Sequence, residues 1–151
     1  MANIPVRSPL AIPYRRLLGF LEKWIVLPNI RPAYYDVAAI LLSLLFFVIT
    51  PAGLRILILV LILLTDWLDG ATARRYTVLR KEGYLMDVMT DRASEGLIFV
   101  STIGTMLGKV FFLLWMLNLI LGFYSLVSKK HAALPLRIVY LIVLIIQVWQ
   151  G

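Results

Sequence analysis

The chain has 151 residues, 62% of them hydrophobic, with a mean hydropathy of +0.92 and a net charge of +7. That balance excludes an ordinary soluble domain and a disordered chain, and leaves room for one membrane bundle of about five or six spans with no separate soluble domain. The lack of cysteine excludes disulfides and thiolate chemistry, and in so apolar a chain the positive charge indicates anionic headgroups and phosphate substrates, not nucleic acid.

Residues 1–32 form a first unit. Arg7, Arg15, Arg16, Lys23 and Arg31 are set among Leu17, Leu18, Phe20, Leu21, Trp24, Ile25 and Leu27. From Tyr14 to Leu27 the apolar and basic residues recur at helical spacing, which predicts an interfacial amphipathic helix lying on the cytoplasmic leaflet. No short apolar core precedes a small-residue cleavage site, so no cleavable signal peptide is expected. Pro28 and Pro32 then mark the break where the chain turns into the membrane.

Residues 33–151 read as a transmembrane domain, an all-α polytopic bundle of five spans. The apolar stretches run from Ala33 to Thr50, Leu54 to Ala73, Tyr84 to Leu107, Val110 to Val127 and Leu134 to Trp149, each about 16–24 residues long. Connections at Pro51 to Gly53, Thr77 to Gly83, Gly108-Lys109 and Ser128 to Ala133 are short, so sequential helices should be antiparallel neighbours. Basic residues gather on one side: the N-terminal segment, Arg74, Arg75, Arg80 and Lys81, then Lys129, Lys130 and Arg137. The other side has Arg55 and Lys109. The N-terminus and the site are therefore expected to face the cytoplasm. Gly104 and Gly108 form a Gly-x-x-x-Gly at the far end of the third span, which permits close packing within the chain or between copies, and a homodimer is expected. Tyr34, Tyr35 and Trp149 read as interfacial anchors.

Five of the eight acidic residues fall between Asp66 and Asp91, four of them aspartates. Asp66 and Asp69 are three apart and Asp87 and Asp91 are four apart, so each pair shares one helix face. A reversal near Val78 to Glu82 puts the first pair roughly 10–13 residues before the turn and the second roughly 7–12 after it. At about 1.5 Å per residue all four then lie at similar depth. Four like charges in hydrocarbon need protonation or cations, and hard carboxylate oxygens suit two divalent cations, Mg²⁺ or Mn²⁺. Such a pair clamps phosphate oxygens and an attacking hydroxyl. Gly70, without a side chain, lets a substrate's phosphates or base approach the helix beside Asp69, and the Arg74 fork lies about one turn on, within reach of a diphosphate. Intramembrane carboxylates also mark ion pathways. A divalent-cation transporter is the weaker reading, because beyond small hydroxyls and Arg137, at the basic end of the fifth span, spans four and five offer only Asn118 and Gln147.

These residues resemble a family. Asp-x-x-Asp-Gly-x-x-Ala-Arg followed by Gly-x-x-x-Asp-x-x-x-Asp is the signature of the CDP-alcohol phosphotransferases, integral membrane enzymes of phospholipid synthesis. Here it reads Asp66, Asp69, Gly70, Ala73, Arg74, Gly83, Asp87 and Asp91. The resemblance implies that Asp66, Asp69, Asp87 and Asp91 bind the metals, that Asp91 is also the general base, and that Gly70, Ala73 and Arg74 bind the CDP moiety. The substrates it implies are a CDP-activated lipid and a polar alcohol acceptor, with CMP released. A soluble CDP-alcohol with a diacylglycerol acceptor is the alternative within the family. Asp91-Arg92-Ala93-Ser94-Glu95 resembles the Asp-Arg with following Ser-Asp of phosphatidylinositol phosphate synthases. That implies inositol phosphate as acceptor ahead of glycerol 3-phosphate, met by Arg92, Lys129, Lys130 and Arg137. Two features depart from the family. Its Pro-Asn with a threonine three residues beyond the Asn is absent, since Pro28-Asn29 leads to Pro32 and Pro32-Ala33 leads to Asp36. The family typically has six spans, and five are read here.

Overall fold

The computed structural model describes residues 30, 33–75, 81–128 and 134–150, with the side chains at 73–75, 81–87 and 125–128 outside the description. Five helices make up nearly all of it: α1 Ala33–Val48, α2 Ala52–Arg75, α3 Lys81–Ser101, α4 Met106–Ser128 and α5 Leu136–Gln150. Among the described residues there is no strand, as expected of an all-α membrane bundle. The helix expected over Tyr14 to Leu27 lies outside the described residues.

Each corner has a local chemical cause. The Pro51 carbonyl accepts the Arg55 N–H at 3.0 Å and starts α2. Arg55 Nε donates to the Ile49 carbonyl at 2.7 Å, covering the end of α1, and its guanidinium lies 5.2 Å from the Phe46 ring centroid. The corner between α3 and α4 corrects the sequence reading. The third span was expected to reach Leu107, but α3 ends at Ser101. There the hydroxyls of Ser101 and Thr102 donate to the carbonyls of Ile98 and Phe99 at 2.6 and 3.1 Å, and Thr102 N–H and Ile103 N–H close i to i−3 bonds. Thr105 then caps α4, its Oγ1 accepting the Gly108 N–H at 2.9 Å. Gly104 and Gly108 therefore sit on different elements and form no helix face for a partner. A Cβ on Gly108 would lie 1.8 Å from the Thr102 carbonyl oxygen, so only glycine fits there. Gly108→Ala is expected to destabilise the protein by about 3 kcal/mol, the upper part of the overpacking range, seen as a lower unfolding temperature in detergent.

The closely packed pairs are α1 with α2 and α3, α4 with α3 and α5, and α5 with α2, which closes a ring of five helices. All five feed one core: Phe46, Ile58, Leu59, Ile62, Ile98, Phe99, Phe111, Leu136, Tyr140 and Leu144. Tyr140 is its centre, with the Phe111, Phe99 and Phe46 ring centroids at 4.8, 5.4 and 6.5 Å. Tyr35, expected as an interfacial anchor, is instead buried, because positions 35, 39, 43 and 46 repeat at helical spacing on the inner face of α1. Polar contacts tie the helices at chosen heights. Ser43 Oγ donates to the Ala39 carbonyl at 2.8 Å, so the buried Ser94 hydroxyl 2.6 Å away donates to Ser43 and joins α3 to α1. Gly96 admits the Trp115 ring, which a Cβ would meet at 2.7 Å, and the indole N–H reaches the Arg92 carbonyl at 2.9 Å.

Outer faces are hydrocarbon. Leu41, Leu57, Leu113, Ile120, Phe123 and Ile142 are all more than half exposed. Such continuous apolar surface suits lipid contact, since water would drive it to associate. Met106–Tyr124, 19 residues with a mean hydropathy of 1.9, is long and apolar enough to cross a membrane, and Ala33–Val48 and Leu136–Gln150 are shorter apolar helices. The α2 and α3 helices have the length, at 24 and 21 residues, but they also carry the acidic motif. These two helices, consecutive in sequence, are not among the closely packed pairs of described residues. A guanidinium from α5 stands where their facing carboxylates would otherwise meet.

Candidate active site

That guanidinium belongs to Arg137, in the first turn of α5 and 5% exposed in its side chain. Arg137, Tyr140 and Leu144 follow the i, i+3, i+7 pattern, so one face of α5 carries the charge at its start and the aromatic core below it. Arg137 Nη1 is ion-paired with Asp66 Oδ2 on α2. Its Nη2 donates to Asp91 Oδ1 at 3.0 Å and to the Asp91 backbone carbonyl at 2.7 Å on α3. One fork therefore draws the first acid of the first pair and the last acid of the second onto a single point of positive charge.

The rest of the motif divides by element. Asp69 and Gly70 are half-buried on α2, just beyond Asp66. Ala73 and Arg74 lie in the last turn of α2 and Asp87 lies on α3 one turn before Asp91, with all three side chains outside the described residues. Lys129 and Lys130 also lie outside the described residues. Arg92, expected at the acceptor, is engaged with Glu95 at 2.8 Å. Arg137 was expected there too, and it bridges Asp66 and Asp91.

Three residues of this neighbourhood were missed as site residues in the sequence. Asp36, half-buried in the first turn of α1, is close enough to interact electrostatically with Asp66 and Asp91. Glu95 is buried and interacts with both Arg92 and Arg137. Asn118, fully buried on α4, donates to Glu95 Oε2 at 3.2 Å. The signal for each was a polar residue inside a hydrocarbon helix, which must find a partner there. Between α3 and α4, against Arg92, lies an apolar cavity of about 290 Å³ lined by Val88, Met89, Trp115, Leu119 and Phe123. Its lining suits hydrocarbon, not a nucleotide.

Among the described residues no group of three carboxylates or imidazoles is arranged to hold a metal, and the side chain of Asp87 lies outside the description. The donor chemistry nevertheless fits a divalent cation. Oxygens of Asp66 and Asp91 already converge on one cationic group, and both are hard donors that suit Mg²⁺ or Mn²⁺.

No curated protein and no solved structure matches the chain. The family model for CDP-alcohol phosphatidyltransferase matches residues 29–148, which takes in all of α1 to α4 and nearly all of α5. With an all-α bundle that brings Asp66 and Asp91 together, and with this match over most of its length, the chain belongs to the CDP-alcohol phosphatidyltransferase family, transferases that move a substituted phosphate group from a CDP-alcohol to an acceptor.

Proposed function

We propose that this enzyme transfers a phosphatidyl-type group from CDP-diacylglycerol to a phosphorylated polar alcohol, inositol phosphate ahead of glycerol 3-phosphate, and releases CMP. It works as a multi-pass membrane protein with its site and N-terminus facing the cytoplasm. The observation that carries this reading is the convergence of Asp66 and Asp91 on the Arg137 guanidinium, from two helices that share no close packing.

Asp66, Asp69, Asp87 and Asp91 would hold two divalent cations, Mg²⁺ or Mn²⁺. When bound, these neutralise the diphosphate and lower the pKa of the acceptor hydroxyl. Gly70, Ala73 and Arg74 bind the CDP moiety, glycine and alanine by allowing close approach and arginine by its fork. Asp91 takes the hydroxyl proton as the acceptor oxygen attacks the lipid-bearing phosphorus. The bond from that phosphorus to the CMP oxygen breaks, and CMP leaves with the electron pair. Arg137 orients Asp91 through its carbonyl and carboxylate at once, and with Arg92, Lys129 and Lys130 it provides the positive charge that meets the acceptor's phosphate. A cation-transport reading lacks support on α4, where the amide of Asn118 is enclosed by protein contacts and lines no path.

Purified protein given CDP-diacylglycerol, Mg²⁺ or Mn²⁺ and single candidate acceptors is expected to release CMP with inositol phosphate, and to stop when the metal is chelated. Release only from a soluble CDP-alcohol supplied with diacylglycerol would overturn the donor assignment. Silence with every phosphorylated acceptor would overturn the reaction.

A further inference from the structure

We propose that Asn118 is a positioning residue for the transfer reaction, acting through the Leu134 peptide on Arg137. The proposal rests on the reading that Asp66 and Asp91 belong to the reaction centre. Asn118 is fully buried in a helix otherwise rich in Leu and Phe, where an amide without partners would be costly. It is committed on both sides. Its Oδ1 accepts the Leu134 N–H at 2.8 Å, and its Nδ2 donates to the Leu134 carbonyl at 3.1 Å and to Glu95 Oε2 at 3.2 Å. The side-chain amide thus pairs with a main-chain N–H and carbonyl, while the Glu95 carboxylate fixes which way round the amide lies. Glu95 is itself held by Arg92 at 2.8 Å.

Leu134 is where α5 is aimed. Pro135 follows, with its φ fixed by the ring, and the helix starts at Leu136, whose N–H returns to the Leu134 carbonyl at 2.9 Å. The Pro135 carbonyl accepts the Val139 N–H at 3.2 Å. Between the clamped residue and Arg137 there is less than one helical turn and no freely rotating glycine. Rotation of α5 about its axis, or sliding along it, would shift the guanidinium off the two carboxylates and the Asp91 carbonyl together. A chain of ion-paired and hydrogen-bonded contacts, Arg92 to Glu95 to Asn118 to Leu134, therefore ties the aim of Arg137 to α3 and α4, the same α3 that carries Asp91.

The test is a double-mutant cycle on the full chain in detergent, reading CMP release from CDP-diacylglycerol, with unfolding temperature measured alongside. Asn118→Ala is expected to lower kcat by about a hundredfold, the cost of roughly 1 Å misplacement, with KM for the donor changed less than about twofold. Arg137→Lys keeps a charge but cannot hold both carboxylates and the carbonyl. In that background Asn118→Ala should cost less than about threefold, because the group it aims is already lost. Glu95→Gln, which keeps an oxygen for Asn118, is the milder variant should Asn118→Ala fail to fold, with a loss of about threefold in kcat that also vanishes beside Arg137→Lys. Independent, multiplying losses would reduce Asn118 to a fold-stabilising clamp and overturn the proposal. An Asn118→Ala enzyme as fast as wild type would overturn it as well. Wild-type protein that releases no CMP at all would sink the transfer reading, and this proposal with it, whereas an active wild type with additive variants sinks the proposal alone.

Discussion

Asp91→Asn is expected to release CMP at less than about one-hundredth of the wild-type rate while keeping the helical content and nearly the unfolding temperature of the parent. A positioned general base contributes on the order of 10²–10⁴ in rate, and an amide cannot take the acceptor's proton. The fold should survive because asparagine preserves the side-chain shape and an oxygen at Oδ1. The main-chain carbonyl that Arg137 Nη2 meets at 2.7 Å is untouched by the substitution. Single-turnover CMP release and circular dichroism on the same preparation separate the two effects. Turnover near wild type would remove Asp91 from the role of base.

Arg137→Met should have a large effect on stability, a loss of about 3 kcal/mol. Breaking a buried ion pair by removing one partner costs about 3–5 kcal/mol. The lower end applies because the Asp66 and Asp91 side chains keep 30% and 36% exposure, although Arg137 keeps only 5%. Methionine fills much of the volume, so the penalty is chiefly electrostatic: two carboxylates left facing each other without a cation. Added Mn²⁺ should therefore raise the unfolding temperature of the variant more than that of wild type, since a divalent ion supplies the missing charge. A variant as stable as the parent in chelator would show that the bridge contributes nothing to the fold.

The contrast between these two residues shows what could be read without coordinates. The helices were legible because leucine and isoleucine runs bounded by Pro51 and Pro135 leave few choices in a membrane, and their observed limits lie mostly within a few residues of the expected ones. The exception is the corner after α3, where Ser101, Thr102 and Thr105 hydroxyls outcompete helix continuation, an effect that hydropathy does not weigh. Asp66 and Asp91 were legible because charges in hydrocarbon are rare. Arg137's part was not, since it pairs with residues 71 and 46 positions away and reads locally as one more basic residue beside a loop. Asn118 stood out only as the interruption of an apolar helix, and its partner is a peptide group, which no side-chain pattern announces.

One feature of the core bears on the membrane as a whole. On the function proposed above, water and ions reach the acidic end of the ring, where the nucleotide would bind. Immediately beneath, Tyr140, Phe46, Phe99 and Phe111 close the centre, all of them at most 3% exposed. Interlocked rings of this kind make an electrical insulator. On the proposed reading such a plug keeps the wetted end from opening through the bundle, and enlarging its gaps, as in Tyr140→Ala, would be felt as ion leakage from vesicles holding the protein before it was felt as lost synthesis.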